Sequence, residues 1–509
     1  MLKILHIIEK FSGDGPTRSL LAAAKYSVRL GLLQQHRAIA LQAKAYPIAL
    51  LLAKQAGVTV LSQPGLSTIR HEIVNADLVQ VHFWNNPIIY ELLRLQLPAM
   101  RLLLWLHILG NKPPQIITKK LINYSDFVLV TNPYSLKLPV FQNLADEVKE
   151  KKTDFVYALA DFDRLSNLQP RPHNTFNVGY IGTVNFSKMH PRYISMSAQI
   201  DIPNLQFIIC GGGREKQLQQ QAEQLGIVDK FSFQGYVENI KPVLEVLDVF
   251  GYPLCEDTFA TSEKSLQEAM YAGVPPVVLP YGGVKDLVKD NETGLVVDNE
   301  LEYKQAIEYL YHHPEERARL GRNAREYARQ AFDGEQAVQQ LDAVYQQLMQ
   351  MPKRQREWSS SKEPATVYPA EWFIQSLEDT APQFHTSMTS QNLQEVLEAD
   401  REIAASSILL SGGEGGIIQY RNYYPHDGYL RLWSGLVLQQ QGKNAEAVSE
   451  FTAAIELGGD RCRINWYLAQ VAEKVNNLPL AAKALREVVQ AAPDFTEARQ
   501  MLKSLENKK

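Results

Sequence analysis

Cysteine is scarce in this sequence, and a long apolar run is missing altogether. The 509 residues include only three cysteines, Cys210, Cys255 and Cys462, which lie far apart. Three scattered thiols exclude a disulfide framework and offer no metal-ligand spacing, and they fit a reducing cytosol. No run of 18 apolar residues occurs, so we expect no membrane-spanning segment. The start, MLKILHIIEK, is too short and too charged for a signal peptide, and it predicts a first strand in a cytoplasmic protein.

Charge is unevenly distributed although its total is small. The formal net charge is −4, yet residues 1–130 contain 14 Lys/Arg against 6 Asp/Glu, a net +8. A basic N-terminal third could contact an anionic acceptor or lie peripherally on the inner face of a membrane. No dense basic cluster occurs, so lysines scattered for solubility explain the same numbers, and we expect no nucleic-acid partner.

Strands and helices alternate from residue 1 to about residue 335. A chain of this length needs several cores, and regular alternation predicts α/β domains with parallel sheets. The strand series is interrupted near FDRLSNLQPRPHNTF. We therefore predict two doubly wound, Rossmann-like domains, 1–168 and 169–350, that face each other across a cleft, with the last helix of the second domain returning toward the first. Ligands of such folds bind beyond the carboxyl ends of the strands.

The remainder of the chain has a helical pattern. Residues 351–425 are predicted to be a linker followed by a helical segment that is hard to interpret. Within residues 426–509, a 34-residue unit occurs twice, first from Gly428 and again from Cys462, with small residues at matching positions. That period is typical of tetratricopeptide repeats. We therefore predict an all-α region that binds a protein partner.

A glycine-rich turn, FSGDGPTRSL, follows the first strand and opens a helix. Gly13 and Gly15 could bring backbone N–H groups close to a phosphate. The third glycine of a dinucleotide fingerprint is absent, because Arg18 stands there, so a nicotinamide or flavin cofactor is disfavoured. A tight turn without a ligand remains an alternative. His107 ends the run RLLLWLH, and a histidine at the carboxyl edge of a sheet would point into the cleft, although structural histidines are common there.

The stretch TSEKSLQEAMYAGVPPVVLPYGG combines a polar helix start with a buried strand. Thr261 and Ser262 are suitable N-caps, so a helix is predicted to begin near Glu263. Its N–H groups, together with Lys264 and Ser265, form an anion site suited to a diphosphate. One turn later a carboxylate, Glu268, could accept hydrogen bonds from two ribose hydroxyls. In the second domain, YIGTVNFSK places Gly182 and Lys188 after a strand, where the lysine could reach a pyrophosphate or simply be solvated.

These motifs together resemble the family 4 glycosyltransferases, which have the two-domain GT-B fold, from residue 1 to about residue 350. The similarity is greatest in EKSLQEAMYAGVPPVV, followed by GG and NETGLVV. The resemblance implies that Glu268 holds the donor ribose, Lys188 the pyrophosphate and His107 the transferred sugar. It also implies that the remaining donor-binding residues are Gly13, Gly15, Gly182, Gly235, Tyr236, Val237, Glu263, Lys264 and Ser265. Such enzymes retain anomeric configuration and use a UDP- or GDP-linked sugar as substrate, with no cofactor and usually no metal.

The sequence departs from the family pattern at two positions. Ala260 stands where the family has a glutamate eight residues before Glu268, and Thr183 stands where an arginine usually follows the glycine. A hydrogen bond to a charged group contributes about 1.5–3 kcal/mol, so both losses would weaken donor contacts. We expect Lys264 to replace part of the arginine's role, and Glu263 or Asp257 to reach the sugar.

The interpretation that accounts for most of these motifs is a retaining hexosyltransferase. It would move a sugar from a nucleotide-diphosphate donor to a glycan, lipid-linked or protein acceptor, in bacterial cell-surface polysaccharide or glycoconjugate assembly. One alternative is a catalytically weak GT-B scaffold that acts through its repeats, which the two departures favour. Another is a GT-B phosphorylase or epimerase, for which we find no phosphate or pyridoxal site.

Overall fold

A computed structural model describes residues 1–43, 46–358 and 368–507. The chain divides into two compact units. The first comprises Met1–Trp84 and Leu92–Trp358, and the second comprises Asn85–Glu91 and the chain beyond Trp358. Part of the predicted linker, residues 359–367, lies outside the described residues. The predicted domain boundaries stay predictions.

The first unit begins with a seven-stranded parallel sheet. Its spatial order is β3-β2-β1-β4-β5-β8-β9. The strands of this sheet are β1 Leu2–Ile8, β2 Gln34–Ala40, β3 Thr59–Ser62, β4 Leu78–Phe83, β5 Leu102–Leu106, β8 Phe127–Val130 and β9 Thr153–Phe155, and a small hairpin, β6 Asn111–Lys112 and β7 Gln115–Ile116, follows β5. Every residue of β4, β5 and β8 is buried. Near-continuous burial of central strands is expected where helices cover both faces of a parallel sheet.

A second parallel sheet, of six strands, follows in the same unit. Its order is β12-β11-β10-β13-β14-β15. The strands are β10 Phe176–Ile181, β11 Leu205–Cys210, β12 Phe231–Gly235, β13 Val249–Tyr252, β14 Pro276–Val278 and β15 Leu295–Val296. In both sheets the chain order reverses next to a central strand, β1 or β10, which is the doubly wound pattern that places ligands at the carboxyl edge. Two Rossmann-like domains were predicted, and this prediction is confirmed.

Fourteen α-helices are described between residues 15 and 349. They are α1 Gly15–Arg29, α2 Pro47–Gln55, α3 Leu66–Asn75, α4 Pro87–Arg94, α5 Lys119–Tyr124, α6 Pro139–Gln142, α7 Asp146–Lys152, α8 Tyr193–Ala198, α9 Glu215–Gln224, α10 Lys241–Leu244, α11 Lys264–Ala272, α12 Glu300–His312, α13 Pro314–Ala331 and α14 Gly334–Met349. The last of these buries Val338, Leu341 and Tyr345 in a cluster with residues of the first sheet. A chain segment that follows the second sheet therefore packs on the first.

The second unit is helical wherever it is described. Its helices are α15 Pro369–Leu377, α16 Pro382–Thr389, α17 Leu393–Ala404, α18 Ile408–Gly412, α19 Ile417–Tyr423, α20 Gly428–Gln440, α21 Asn444–Glu456, α22 Arg461–Lys474, α23 Leu478–Ala491 and α24 Thr496–Glu506. A Cβ added at Gly435 of α20 would lie 2.5 Å from the Phe451 ring of α21. Glycine therefore permits the close approach of these two helices. The tetratricopeptide assignment stays a prediction.

No helix in the described part of the chain is long and apolar enough to cross a membrane.

Candidate functional site

Residues from both sheets of the first unit meet beyond the carboxyl ends of their strands. The glycine turn follows β1 and His107 follows β5, while Gly182 follows β10. Direct hydrogen bonds join the two sides: Thr131 Oγ1 lies 3.0 Å from Thr261 Oγ1, and Asn132 Nδ2 donates to the Thr261 carbonyl at 3.1 Å. The site is therefore assembled from elements of both domains.

Helix α11 begins at Lys264, close to the predicted start near Glu263, but its cap differs. Glu263 occupies the N-cap position and makes no side-chain capping bond. The predicted caps have other partners, because the Thr261 hydroxyl contacts Thr131 and the Ser262 hydroxyl accepts from the Ala158 backbone N–H at 2.9 Å. The capping prediction is wrong for this tertiary reason. The first N–H groups of α11 thus lack a side-chain cap from within the helix, and a helix N-terminus attracts anions.

Lys188 and Glu263 form a buried ion pair beside this helix start. Lys188 Nζ lies 2.8 Å from Glu263 Oε2, and the Tyr252 hydroxyl donates to the same carboxylate at 2.6 Å. Burial opposes the charge on Lys188, but the attractions of Glu263 and Tyr180 together outweigh it and raise the pKa of the lysine. A Cβ added at Gly182 would lie 3.1 Å from the Tyr252 hydroxyl oxygen. The structure therefore brings Gly182, Lys188 and Glu263 together around one tyrosine.

Glu268 is buried and faces a cation that the motifs did not reveal. Its side chain is 5% exposed, and Oε1 lies 3.0 Å from Arg164 Nη2. Burial raises the pKa of the Glu268 carboxyl, and Arg164 opposes that shift. Arg164 lies in FDRLSNLQPRPHNTF, a segment that the sequence pattern marks only as a break between strand series. No local signal identifies it, since its partner is a hundred residues away.

Lys264 reaches from α11 to the glycine turn. Its Nζ donates to the Gly15 carbonyl and to Ser19 Oγ, the latter at 2.7 Å. Burial, together with the nearby Arg18, lowers the pKa of Lys264 to about 7. A lysine with such a pKa titrates near neutrality and gains strongly from an added anion.

The loop after β12 lies against the same turn. Gly235 has a left-handed backbone (φ 63°), Tyr236 is 62% exposed, and a Cβ at Gly13 would lie 3.0 Å from the Tyr236 hydroxyl oxygen. Arg18 Nη2 donates to that hydroxyl at 3.4 Å, and Val237 packs on the domain core. The structure thus brings Gly13 against Tyr236, whose chain neighbours are Gly235 and Val237, and the role of these residues in donor binding stays a prediction.

His107 lies at the end of β5 and is 3% exposed. Its Nε2 lies 3.0 Å from His82 Nδ1, and the two rings stack at 5.2 Å. Burial and the proximity of Lys264 lower the pKa of His107 well below its usual value, so the ring is neutral.

The two departures from the family pattern both accept hydrogen bonds through their backbone carbonyls. Ala260 is buried at 1% exposure, and its carbonyl accepts from the Gly283 N–H at 2.8 Å. The Thr183 carbonyl accepts from the Tyr180 hydroxyl at 3.0 Å. Asp257, one expected substitute for the missing glutamate, forms an ion pair with Lys112 at 2.8 Å. Both expected acidic substitutes, Asp257 and Glu263, therefore have lysine partners.

Among the residues for which coordinates are described, no group of three or more His, Cys, Asp or Glu side chains is placed to hold a metal ion.

The two facing Rossmann-like domains define the fold as that of the GT-B glycosyltransferases. A solved structure of HepE from Anabaena in complex with UDP-glucose aligns with a TM-score of 0.54 over 68% of this chain and 100% of that one, at 20% identity. At that identity the likeness shows the fold alone.

Residues 161–327, the region that carries Arg164, Lys188 and α11, match the sequence family described as glycosyl transferases group 1. The diNAcBac-PP-undecaprenol-linked glycan α-1,4-N-acetyl-D-galactosaminyltransferase of Campylobacter jejuni is 32% identical over 155 residues, 29% of this chain and 42% of that protein. The D-inositol 3-phosphate glycosyltransferase of Corynebacterium glutamicum is 24% identical over 315 residues, which cover 55% of this chain and 74% of that protein. The chain thus spans less than half of the Campylobacter protein's length.

Proposed function

We propose that this chain is a retaining glycosyltransferase that takes its sugar from a nucleotide-diphosphate donor. The observation that carries the proposal is the convergence of the α11 N-terminus, two lysines and the buried Glu268 within the region that matches the glycosyl transferases group 1. Cations and helix N–H groups suit a diphosphate. A carboxylate one turn along the same helix suits ribose hydroxyls, because each hydroxyl can donate to it.

Each group has a distinct role in this proposal. Glu268 accepts hydrogen bonds from the ribose, Lys188 and Lys264 face the diphosphate, and His107 contacts the transferred sugar. Tyr236 and its loop neighbours line the base pocket. Negative charge grows on the diphosphate as the glycosidic bond breaks, so preoriented cations and N–H groups stabilise the transition state more than the ground state. We infer that these groups supply the stabilisation that a divalent cation gives elsewhere.

We propose that the acceptor is a glycan or a lipid-linked molecule in cell-surface polysaccharide assembly. A protein acceptor is the alternative. The support is the name of the Campylobacter relative, which specifies an undecaprenol-linked substrate. A chain that works on a membrane-held acceptor would gain from peripheral contact, and the basic N-terminal third suits an anionic surface. The helical second unit is proposed to recruit a protein partner.

The test is a thermal-shift panel of UDP, GDP, ADP and their common sugar conjugates without added metal and with a chelator. A ligand that binds only the folded state raises the unfolding midpoint. At a ligand concentration about a hundred times Kd, it adds about 2.7 kcal/mol to the free energy of unfolding. One base should give a clear shift and Glu268→Gln should abolish it. Glu223→Gln, an exposed residue of α9, is the matched control. The absence of a shift with every nucleotide at millimolar concentration would instead favour a scaffold without donor binding.

Turnover is measured with the donor that this panel identifies. Lys188→Met and Lys264→Met should each lower kcat by roughly tenfold or more, because a charge-assisted hydrogen bond contributes about 1.5–3 kcal/mol. The exposed Lys216→Met serves as the control. Normal turnover in Lys264→Met would remove that lysine from the proposed diphosphate site.

A further inference from the structure

Four buried histidines form a continuous hydrogen-bonded chain across the first sheet. His36 Nδ1 lies 2.9 Å from His6 Nε2, and His6 Nδ1 lies 3.1 Å from His82 Nε2. His82 Nδ1 in turn lies 3.0 Å from His107 Nε2. All four side chains are at most 5% exposed. This row of hydrogen-bonded histidines therefore ends at His107, the residue that we place against the transferred sugar.

The strand order explains why these four rings meet. β2, β1, β4 and β5 are adjacent and parallel, and each supplies one histidine, the last one immediately after β5. Successive ring centroids are separated by 5.2–5.3 Å, close to one interstrand spacing. The rings follow one another in a line and do not converge on a point, which is the geometry of a relay of hydrogen bonds and not of a metal site.

The protonation state of one ring fixes that of all the others. Burial lowers the pKa of His6, His82 and His107 well below the usual value and that of His36 to about 4, so all four rings are neutral. A neutral imidazole has one N–H and one bare nitrogen. Since each N···N contact needs one of each, either all four rings carry the proton on Nδ1 or all four carry it on Nε2.

Gln80 distinguishes between these two arrangements. Its amide Nε2 lies 3.3 Å from His82 Nε2, and its amide oxygen accepts from the Tyr345 hydroxyl at 2.6 Å. Gln80 is fully buried and Tyr345 is 2% exposed, so neither can turn to water. With the amide oriented by Tyr345 in this way, its NH₂ faces a bare His82 Nε2, whose lone pair is shared with the His6 Nδ1–H, so the His82 proton lies on Nδ1.

His36, at the other end of the row of histidines, supports the same placement of the protons on Nδ1. His36 Nε2 is buried and has no hydrogen-bond partner among the described residues. With every proton on Nδ1, this atom is a bare nitrogen. The opposite arrangement would bury an N–H without an acceptor, which native structures avoid more strictly than an unused acceptor.

From these contacts we infer that Gln80, oriented by Tyr345, holds His82 and hence His107 in the Nδ1-protonated tautomer, so that His107 offers a hydrogen-bond donor and not an acceptor to the ligand. Gln80, Tyr345 and His82 are then positioning residues that act through His107. The inference about the sugar rests on the proposed function, whereas the tautomer itself does not. It requires the group opposite His107 to present an acceptor oxygen, such as a sugar hydroxyl oxygen.

The test measures the ¹⁵N shifts of the histidine rings in the full-length, ligand-free protein labelled at histidine. His107→Asn and His82→Asn assign the signals. Wild-type His82 and His107 should have a protonated Nδ1 and a bare Nε2. Gln80→Leu removes the amide, and Tyr345→Phe lets it turn, so both should shift the His107 nitrogens toward the average of two tautomers. Tyr193→Phe is the matched control, because the buried Tyr193 hydroxyl has no partner in the described chain.

Kinetics supply the second measurement. Gln80→Leu should lower kcat/KM for the nucleotide-sugar by about fivefold to tenfold, the value of one neutral hydrogen bond, and leave the affinity for the free nucleoside diphosphate unchanged. A wild-type His107 protonated on Nε2, or an unchanged tautomer in both variants, would overturn the inference. If no nucleotide binds, the proposed function fails while the ring shifts still report the tautomer.

Discussion

At the scale of single residues, Lys264 predicts a proton linkage. The unfolded chain would bind its proton with an ordinary pKa near 10.4, whereas burial lowers the folded pKa to about 7. The unfolded state therefore holds more protons between pH 7 and pH 10, and this group makes stability rise with pH in that window. A bound diphosphate has the opposite effect on the lysine, because it favours the charged form.

Nucleotide binding near pH 8 should therefore take up a proton. Titration calorimetry in two buffers of different ionisation enthalpy measures that uptake, and affinity should fall as pH rises from 7 to 9. In Lys264→Met the uptake should vanish, whereas Lys216→Met should behave as the wild type. Equal heats in both buffers for the wild-type protein would place the diphosphate away from Lys264.

The residue scale also shows how far the sequence can lead. The motifs single out His107, Lys188 and Glu268, because strand ends and helix starts are local patterns. Arg164, the partner of Glu268, is not recognisable because that contact joins residues that are distant in the chain. The role of Gln80 is not recognisable because it depends on contacts between elements, from His82 to His107 and from Tyr345 to Gln80. The N-cap prediction failed for the same reason, because Thr261 and Ser262 bond to Thr131 and Ala158 of the first domain's chain.

At the scale of elements, the end of α11 depends on one glycine. Gly273 has φ 81°, and a Cβ there would lie 2.8 Å from Arg325 Nη2. Gly273→Ala should lower the free energy of unfolding by about 1–2 kcal/mol from backbone strain and by more from the displaced arginine. Gly226→Ala is the matched control, with φ 68° and open space around its Cβ. Urea denaturation should show the larger loss for Gly273→Ala, and equal losses would exclude a packing contribution.

Helix α2 exposes an apolar surface that suits the proposed peripheral contact. Ala49 and Ala53 are buried beneath it. The exposed apolar side chains are those of Tyr46, Ile48, Leu50, Leu51 and Leu52, at 38–55%. Leu51→Glu with Leu52→Glu should reduce binding to vesicles that contain anionic lipid by at least about tenfold, since each inserted leucine contributes about 1.5–3 kcal/mol. Val28→Glu, a single exposed residue of α1, should have little effect in the same cosedimentation assay.

Strands of the two sheets were predictable from the sequence, whereas the N-cap of α11 was not. The apolar runs LKILHII and RLLLWLH lie in the first sheet as β1 and β5, because buried parallel strands appear in a sequence as short apolar runs. The edge strand Thr153–Phe155 was not predicted, since TDF has no apolar pattern. Its place in the sheet comes from pairing with β8, which sequence alone does not specify.

At the scale of the whole molecule, the two compact units should respond separately to mutation. Asp400 is fully buried in the second unit and is paired with Arg463, and both contact Ser387. Asp400→Asn would leave the arginine charge buried, which costs about 3–5 kcal/mol, and the unfolding midpoint of that unit should fall. Glu398 forms an exposed pair with Arg401. Glu398→Gln should therefore change the free energy of unfolding of that unit by less than about 1 kcal/mol.

Nucleotide binding by the first unit should be the same in both variants. Calorimetry with and without the donor measures the two responses together. A loss of nucleotide affinity in Asp400→Asn would show that the helical unit contributes to donor binding.

The buried Lys188–Glu263 pair has a consequence for the energetics of filling the site. Lys188 already has its own counter-ion in Glu263, so a diphosphate that binds there exchanges with a fixed carboxylate and does not simply neutralise a bare cation. Few mobile ions are then released on binding. Affinity should accordingly change little with ionic strength, and the site should discriminate against small anions such as inorganic phosphate, which cannot offset the loss of the internal partner.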